Sequence, residues 1–202
     1  MLLRQRSIVM KPNMKIFDSM KYTKDIFDLL SRGGFICANS VKRQNKLMYD
    51  AIEEDYEQYR DYYGGIGFNL ECGNDYYFFT RQESRVDIDQ KLDRFVRWID
   101  RLDFLKTFNP VFGPGFTFRA SNIIEQTAAD MELKDKAQHL YTEKLKLDEI
   151  VDKLIDDLDK IGFIELENEL DGSWKVTSAF HYIEELIDSL IVSEEVKDEV
   201  FE

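Results

Sequence analysis

The chain has 202 residues, of which 44% are apolar and 33% are charged, and its formal net charge at pH 7 is −13. This composition is typical of a folded protein with a buried core, and disorder is not the expected state. No apolar run approaches the roughly 20 residues that a membrane span requires, and no signal-like apolar stretch follows the first basic residues. We therefore expect a soluble, cytoplasmic protein.

The charge is distributed unevenly along the chain. Residues 1–46 contain ten Lys or Arg and three Asp, whereas the remainder contains 17 basic and 37 acidic side chains. Only the beginning of the chain could attract phosphate groups, and residues 1–20 are predicted to form a basic N-terminal arm. The alternative, equally open, is that this basic segment pairs with the acidic remainder.

The first predicted elements are a short helix at 22–30, a glycine turn at Gly33-Gly34 and a brief strand at 35–37. Ser40 is a good N-cap for a second helix. That helix carries three basic side chains on its polar face, which are the candidate DNA contact in the chain: Lys42, Arg43 and Lys46.

A third helix, from Tyr56 to Tyr63, precedes Ile66-Gly67-Phe68 and two strand-like runs that turn at 72–75. Its tyrosines recur at spacings of three and four and so form one aromatic edge. We expect this edge either to bind a partner or, with equal weight, to pack the core of its unit. The residues of the edge are Tyr56, Tyr59 and Tyr63.

A long connecting helix is predicted at about 87–108, where Asn109-Pro110 stops it. Its apolar belt is too broad for one small domain to cover, so we expect a homodimer that buries the excess. The loop-like segment 112–116 follows and is the predicted junction between two domains. The residues expected at the dimer interface are Phe95, Trp98, Ile99 and Leu102.

The second half of the chain repeats this pattern. Helices are predicted at about 122–131, 133–140 and 147–161, and the last is followed by Ile161-Gly162-Phe163, a second hairpin and a C-terminal helix. The repeat predicts an α+β fold, mostly α with short β-hairpins, built as tandem winged-helix domains at 21–109, including the connecting helix, and at 110–202. Gly67 and Gly162 should each adopt a backbone conformation that only glycine tolerates easily.

The two helices that would read DNA in a winged-helix protein are acidic. Because affinity for DNA depends on neutralising phosphates, sequence-specific binding by these helices is not expected. The acidic face of the helix at 147–161 is predicted to be solvated or to receive a basic partner. The acidic residues assigned to that partner contact are Asp152, Asp156 and Asp157.

No motif in the sequence predicts catalysis, a metal or a cofactor. His139 and His181 are 42 residues apart, and Cys37 and Cys72 lack the short spacing of a zinc or redox site. Neither glycine pair is followed by Lys-Ser or Lys-Thr, so no phosphate-binding loop is expected. We predict a protein that binds rather than catalyses.

Five short segments carry a resemblance to a known family: Gly34-Phe35-Ile36, Leu47-Met48-Tyr49, Tyr59-Arg60-Asp61-Tyr62-Tyr63, Ile66-Gly67-Phe68-Asn69-Leu70 and Tyr76-Tyr77-Phe78-Phe79. They resemble the N-terminal half of the MukE and MksE family, the accessory subunits of bacterial condensin-like complexes. The resemblance implies two winged-helix domains, a homodimer, and binding to a kleisin subunit that bridges the heads of an SMC ATPase. It also implies a nucleoid-associated role in DNA condensation and chromosome segregation, with weak or indirect DNA contact. The short chain places the protein nearer the MksE type.

Three other functions remain open at this stage. A winged-helix transcriptional regulator would use Lys42, Arg43 and Lys46 as its DNA contact. An accessory subunit of an SMC-like plasmid-defence complex would share the family resemblance. An enzyme would need a carboxylate site that the sequence does not reveal.

Overall fold

The computed structural model describes residues 20–82 and 85–189, and over residues 85–95 it describes the backbone alone. The described residues form eight helices and six short strands, and the strands make two antiparallel sheets. This confirms the predicted α+β fold, mostly α with short hairpins. Within the described ranges, each helix is too short or too polar to cross a lipid bilayer.

The N-terminal half (residues 20–82) and the C-terminal half (residues 85–189) share the order helix, strand, helices, hairpin, but the C-terminal half has one more helix before its hairpin and another after it. In the N-terminal half the elements are α1 (Thr23–Leu30), β1 (Ile36–Cys37), α2 (Arg43–Glu54), α3 (Tyr56–Gly64), β2 (Asn69–Cys72) and β3 (Tyr76–Thr80). The C-terminal half contains α4 (Arg85–Phe108), β4 (Thr117–Arg119), α5 (Ala120–Ala129), α6 (Met131–His139), α7 (Leu147–Ile161), β5 (Ile164–Asn168), β6 (Ser173–Val176) and α8 (180–189).

Both sheets have the same strand order. β3 lies between β1 and β2, and it pairs Tyr77 with Ile36 on one side and Phe79 with Leu70 on the other. β6 likewise lies between β4 and β5 in the second sheet. The second strand of each hairpin, β3 or β6, is therefore the central strand. The strand that comes before the hairpin in the chain, β1 or β4, forms one edge of the sheet.

Gly67 and Gly162 both occupy the left-handed region of backbone space, with φ angles of 86° and 92°. L side chains are strained there, so the prediction for these two glycines is confirmed. Gly162 is the C-cap residue of α7, where its left-handed conformation ends the helix. Its N–H donates to the carbonyls of Leu158 and Asp159. Gly67-Phe68 and Gly162-Phe163 thus each link a helix to the hairpin that follows it.

Two hydrophobic clusters fill the molecule. The larger one fills the C-terminal half and continues into the N-terminal half through Phe35, Cys37 and Tyr76. The described part of α4 packs within this larger cluster, mainly against α6. The smaller cluster, in the N-terminal half, consists of Ile26, Leu30, Ile36, Met48, Ile52, Tyr59, Tyr63, Leu70 and Tyr77.

Three local features differ from the sequence expectations. Ser40 does not cap α2, because the helix begins at Arg43 and Lys42 is its N-cap residue. The short strand β4 was not predicted, since three residues give too little alternation to detect. Phe112, in the segment expected to join two domains, is completely buried in the larger cluster.

Candidate partner-binding groove

An apolar groove of about 230 Å³ lies between the two halves. Its lining residues are aromatic or aliphatic, apart from two glycines, and none of them is charged. The groove can therefore accept apolar side chains. The principal aromatic residues are Phe35, Phe78 and Phe79 from the N-terminal half and Trp98, Phe163 and Tyr182 from the C-terminal half.

The Gly34-Phe35 and Gly162-Phe163 pairs bring the Phe35 and Phe163 rings together across the groove. Phe35 follows Gly34, where an added Cβ would lie 2.8 Å from Leu29 Cδ1, so the chain passes closely over α1. Phe163 follows Gly162, at the end of α7. The two phenylalanine rings have centroids 5.7 Å apart, a distance typical of favourable aromatic contact across the halves.

The groove has a buried floor and a more exposed rim. Phe35, Trp98 and Phe163 are 8%, 6% and 2% exposed, and the Trp98 ring meets Phe163 edge-on at 5.4 Å. Phe78 and Tyr182 are half-buried, with ring centroids 5.1 Å apart. The rim rings can therefore contact a further molecule without disturbing the floor.

A polar contact also joins the halves. Glu165 of β5 is 5% exposed, and its carboxylate accepts the single hydroxyl hydrogen of Ser40, whose Oγ lies 2.7 and 2.9 Å from the two carboxylate oxygens. The backbone N–H of Val41 donates to the same carboxylate at 2.7 Å. Ser40 thus bonds to the opposite half of the molecule rather than capping the helix that follows it.

The predicted tyrosine edge lies mostly inside the N-terminal cluster. Tyr59 and Tyr63 are 2% and 0% exposed, and burial raises the pKa of both phenols. Their hydroxyls donate to the carbonyls of Lys21 and Thr23 at 2.6 and 2.8 Å. Tyr56 is half-buried. This placement matches the core alternative, and the rings of Tyr59 and Tyr63 are not accessible to a partner.

The three candidate acidic residues of α7 do not share one environment. Asp152 and Asp156 are exposed. Asp157 instead turns toward α4, where Arg101 Nη2 lies 2.8 Å from its Oδ2. The Tyr141 hydroxyl donates to the same oxygen at 2.9 Å. Asp152 and Asp156 are therefore accessible to an external partner, although Asp156 also pairs with Lys160 on the surface.

Arg101 connects α4, α7 and the groove. Its guanidinium lies 4.7 Å from the centroid of Trp98 and 5.1 Å from that of Tyr141, distances typical of cation–π contacts. Burial is the largest cause of the raised pKa of the Tyr141 phenol, so this hydroxyl stays protonated as a donor. The Arg101–Asp157 pair therefore supports Trp98 in the floor of the groove.

The expected dimer residues on α4 are likewise divided. Trp98 is buried within the chain, and Leu102 is half-buried against the larger cluster. Ile99 is 37% exposed, and Val96, one helical turn earlier, is 58% exposed. The side chain of Phe95 lies outside the described residues. Among the described side chains of α4, Val96 and Ile99 are the exposed large apolar ones.

The candidate DNA contact lies on the surface. Lys42, Arg43 and Lys46 are all exposed at the start of α2. Lys42 Nζ is 3.8 Å from Glu165, too far and too solvated for a strong ion pair. Among the residues that the structure describes, no group of three or more His, Cys, Asp or Glu is placed to hold a metal ion.

A comparison with family models identifies what this architecture belongs to. The model described as condensin complex protein MksE matches residues 21–187. The chain therefore belongs to the MksE family, whose members are subunits of condensin-type SMC complexes, and the resemblance seen in the sequence is confirmed. A search of curated proteins found no match.

The sequence pointed to the motifs of the groove but not to the groove itself. Gly34-Phe35, Gly162-Phe163 and the Tyr76–Phe79 run were recognised as fold signals. Their convergence depends on contacts between residues more than 100 positions apart, such as Phe35 and Phe163. The Ser40–Glu165 contact had no local signal at all, since each residue type is ordinary in its position.

Proposed function

We propose that this chain is a non-catalytic adaptor subunit that binds a kleisin and, through it, an SMC ATPase. The observation that carries this proposal is the match to the MksE family over residues 21–187. We also propose that the chain contains two winged-helix domains, near 21–109 with the connecting helix α4 and near 110–202, and that the subunit is a homodimer. Chromosome organisation and plasmid defence are the two cellular roles that fit such a subunit.

The apolar groove is the proposed kleisin site. Its aromatic floor can receive large apolar side chains, which supply most of the binding energy when they enter a desolvated pocket. A groove without charged residues favours an extended or helical segment that presents two or more apolar anchors on one face. The proposed occupant is therefore an amphipathic segment of the kleisin.

The acidic face of α7 is proposed to select and steer that segment. Ile161, the last residue of α7, lines the groove, so the helix that carries Asp152 and Asp156 leads directly to it. Basic residues beside the apolar anchors of the kleisin would meet these carboxylates. Exposed charges of this kind mainly change association rates and partner choice, and salt screens their effect.

The groove is tested by introducing a charge at Ile161, which is half-buried. With the kleisin subunit of the same complex as ligand, Ile161→Lys is expected to weaken binding at least about tenfold, because a charge would be buried against the anchors. Ile66→Lys is the matched control, since Ile66 is 53% exposed and lies outside the groove. Unchanged affinity in a folded Ile161→Lys variant would place the kleisin elsewhere.

The acidic face is tested separately by Asp152→Lys combined with Asp156→Lys. Asp157 is left intact because it pairs with Arg101 inside the chain. The double variant is expected to slow kleisin association and to lose its salt dependence, as measured by stopped-flow or surface plasmon resonance. Asp50→Lys with Glu54→Lys is the control, with the same spacing on an exposed face of α2. Equal association rates for both variants would make the α7 face an ordinary solvated surface.

A direct DNA contact is the second candidate, and the exposure of Lys42, Arg43 and Lys46 favours it. Three cations can release only about three counterions, so any binding by them is weak and lost at physiological salt. Replacing all three with Gln is expected to remove the DNA binding seen at low salt in a fluorescence anisotropy titration, while kleisin affinity stays unchanged. Sequence-specific binding that survives 0.15 M salt would favour a transcriptional regulator instead.

The two cellular roles are separated by deletion of the gene. Loss of a chromosome-organising subunit is expected to produce nucleoid-free cells or abnormal nucleoids. Loss of a plasmid-defence subunit is expected to increase plasmid retention and to leave the nucleoid normal. The biochemical proposal stands in either case.

A further inference from the structure

A hydrogen-bonded contact links the loop between β1 and α2 to the second hairpin. The loop provides Asn39, Ser40 and Val41, and the hairpin provides the Glu165 carboxylate and the backbone groups of Val176 and Ser178. We call these six residues the clamp. The hydrogen bonds between the loop residues and the hairpin residues all connect the N-terminal half to the C-terminal half.

Glu165 depends on the opposite half for its hydrogen bonds. A carboxylate that is 5% exposed is costly to bury unless donors surround it. Ser40 Oγ and the Val41 N–H supply those donors at 2.7–2.9 Å. Lys42 adds little, because its ammonium is 3.8 Å away and its side chain is 64% exposed. The carboxylate is therefore satisfied only while the two halves keep this orientation.

Asn39 makes a second, differently directed contact. Its Nδ2 donates to the carbonyl of Val176 at 3.1 Å, and its Oδ1 accepts from the N–H of Ser178 at 2.8 Å. An amide side chain presents a donor and an acceptor side by side, as a peptide group does. Asn39 therefore pairs with the end of β6 as a neighbouring strand would, and neither Asp nor Leu could make both bonds.

We infer that the clamp locks the two halves in one orientation and thereby keeps the apolar groove open before any partner binds. The aromatic contacts across the groove hold the halves together, but apolar contact is not directional and tolerates sliding. Hydrogen bonds have strict distance and angle requirements, so two sets of them with different directions fix the angle. Glu165 and Asn39 are thus positioning residues for the groove. The inference goes beyond the proposed kleisin function, since it concerns the free protein.

The orientation of the halves can be measured by double electron–electron resonance between two spin labels. Cys72 is exposed in the N-terminal half and accepts one label. Cys37 is buried, and burial raises the pKa of its thiol to about 11, so it resists labelling at neutral pH. Ser121→Cys, at an exposed position of α5, provides the second site. The parent protein should give one narrow distance distribution.

The decisive variant combines Asn39→Ala with Glu165→Ala in that labelled background. Its distance distribution should widen to about twice the parent width, because two halves without a specific contact move relative to one another. The matched control, Asn74→Ala with Glu169→Ala, removes the same two side-chain types from exposed positions outside the clamp. It should keep the parent distribution. A narrow, unshifted distribution in the clamp variant would overturn the inference.

A milder variant keeps the test decisive if the double alanine variant does not fold. Asn39→Asp preserves the acceptor for Ser178 but sets a carboxylate against the Val176 carbonyl. Amide hydrogen exchange at Val41 and Ser178 should become about tenfold faster in this variant, while exchange within α7 stays at the parent rate. Unchanged exchange at both amides would show that the clamp does not hold the halves.

Discussion

Gly162 sets the point at which α7 becomes a hairpin. Its φ of 92° is one that L side chains adopt only with strain, and no heavy atom lies within 4 Å of the position that a Cβ would take. The cost of a side chain there is therefore a backbone cost and not a clash with other parts of the chain.

Gly162→Ala is accordingly expected to lower the free energy of unfolding by about 1–2 kcal/mol, as measured by urea denaturation. Gly64→Ala is the control, since Gly64 is the last residue of α3, has no positive φ and also has open space around it. That variant should be neutral or stabilised by up to about 1 kcal/mol. Equal effects of the two substitutions would contradict the conformational argument.

Cys37 gives the protein a predictable loss of stability at high pH. Burial raises the pKa of this thiol from 9.0 to about 11. Below pH 9 the thiol is protonated in both the folded and the unfolded chain, and its contribution to stability is complete. Between pH 9 and 11 the unfolded chain loses the proton while the folded chain retains it, so stability falls across this window.

The expected loss is about 2–3 kcal/mol, the free energy of a pKa shift of about two units. It is measured by comparing the pH dependence of unfolding for the parent and for Cys37→Ala. The difference in stability between them should shrink from pH 8.5 to pH 11. Buried tyrosines titrate in both proteins, so their contributions cancel in this difference. A constant difference would mean that the thiol does not remain protonated in the folded state.

At the scale of single elements, how much the sequence predicted depended on length and periodicity. The bounds predicted for α7, Leu147–Ile161, are those observed, because fifteen residues with one broad apolar face give a strong signal. β4 has three residues and takes its identity from pairing with β6. Local propensity cannot reveal a strand of that kind.

For the candidate site residues, local sequence could not decide which side chains are buried and which are exposed. A tyrosine edge at helical spacing is compatible with either a surface or a core, and only packing decides between them. Tyr59 and Tyr63 became core residues because β2, β3 and α1 cover them. Similarly, Asp156 and Asp157 are adjacent in sequence, but only Asp157 meets Arg101 from a helix about 55 positions earlier. Contacts of that range are set by tertiary structure.

This difference between neighbouring aspartates leads to a prediction for the α4–α7 contact. Asp157→Ala leaves the Arg101 guanidinium, 11% exposed, without its carboxylate partner. Removing one member of a largely buried pair strands the other charge, so the free energy of unfolding should fall by about 2 kcal/mol. Asp156→Ala should change it by less than about 0.5 kcal/mol, because that carboxylate is exposed and its pair with Lys160 lies on the surface. Chemical denaturation of the two variants measures both values.

At the scale of the whole molecule, α4 belongs to the C-terminal half by its packing. Phe104, Leu105 and Phe108 lie in the larger cluster, and Lys136 of α6 bonds to Asp103 and Thr107. The same helix still presents Val96 and Ile99 to solvent. Because the inner face of residues 96–108 is filled within the chain, we propose the exposed pair Val96 and Ile99 as the interface between copies.

The proposed homodimer is tested on that outer face. Two aliphatic side chains one helical turn apart form a small apolar patch, and a second copy placed across a two-fold axis would cover both patches at once. Val96→Glu with Ile99→Glu should then shift the chain from dimer to monomer in sedimentation velocity, raising the dissociation constant at least about 100-fold through burial of like charges. Ile66→Glu with Val111→Glu is the matched control, since both positions are exposed and lie outside α4. If both double variants sediment as the parent does, the dimer interface lies elsewhere. A parent chain that is monomeric at high micromolar concentration would remove the need for an interface on α4.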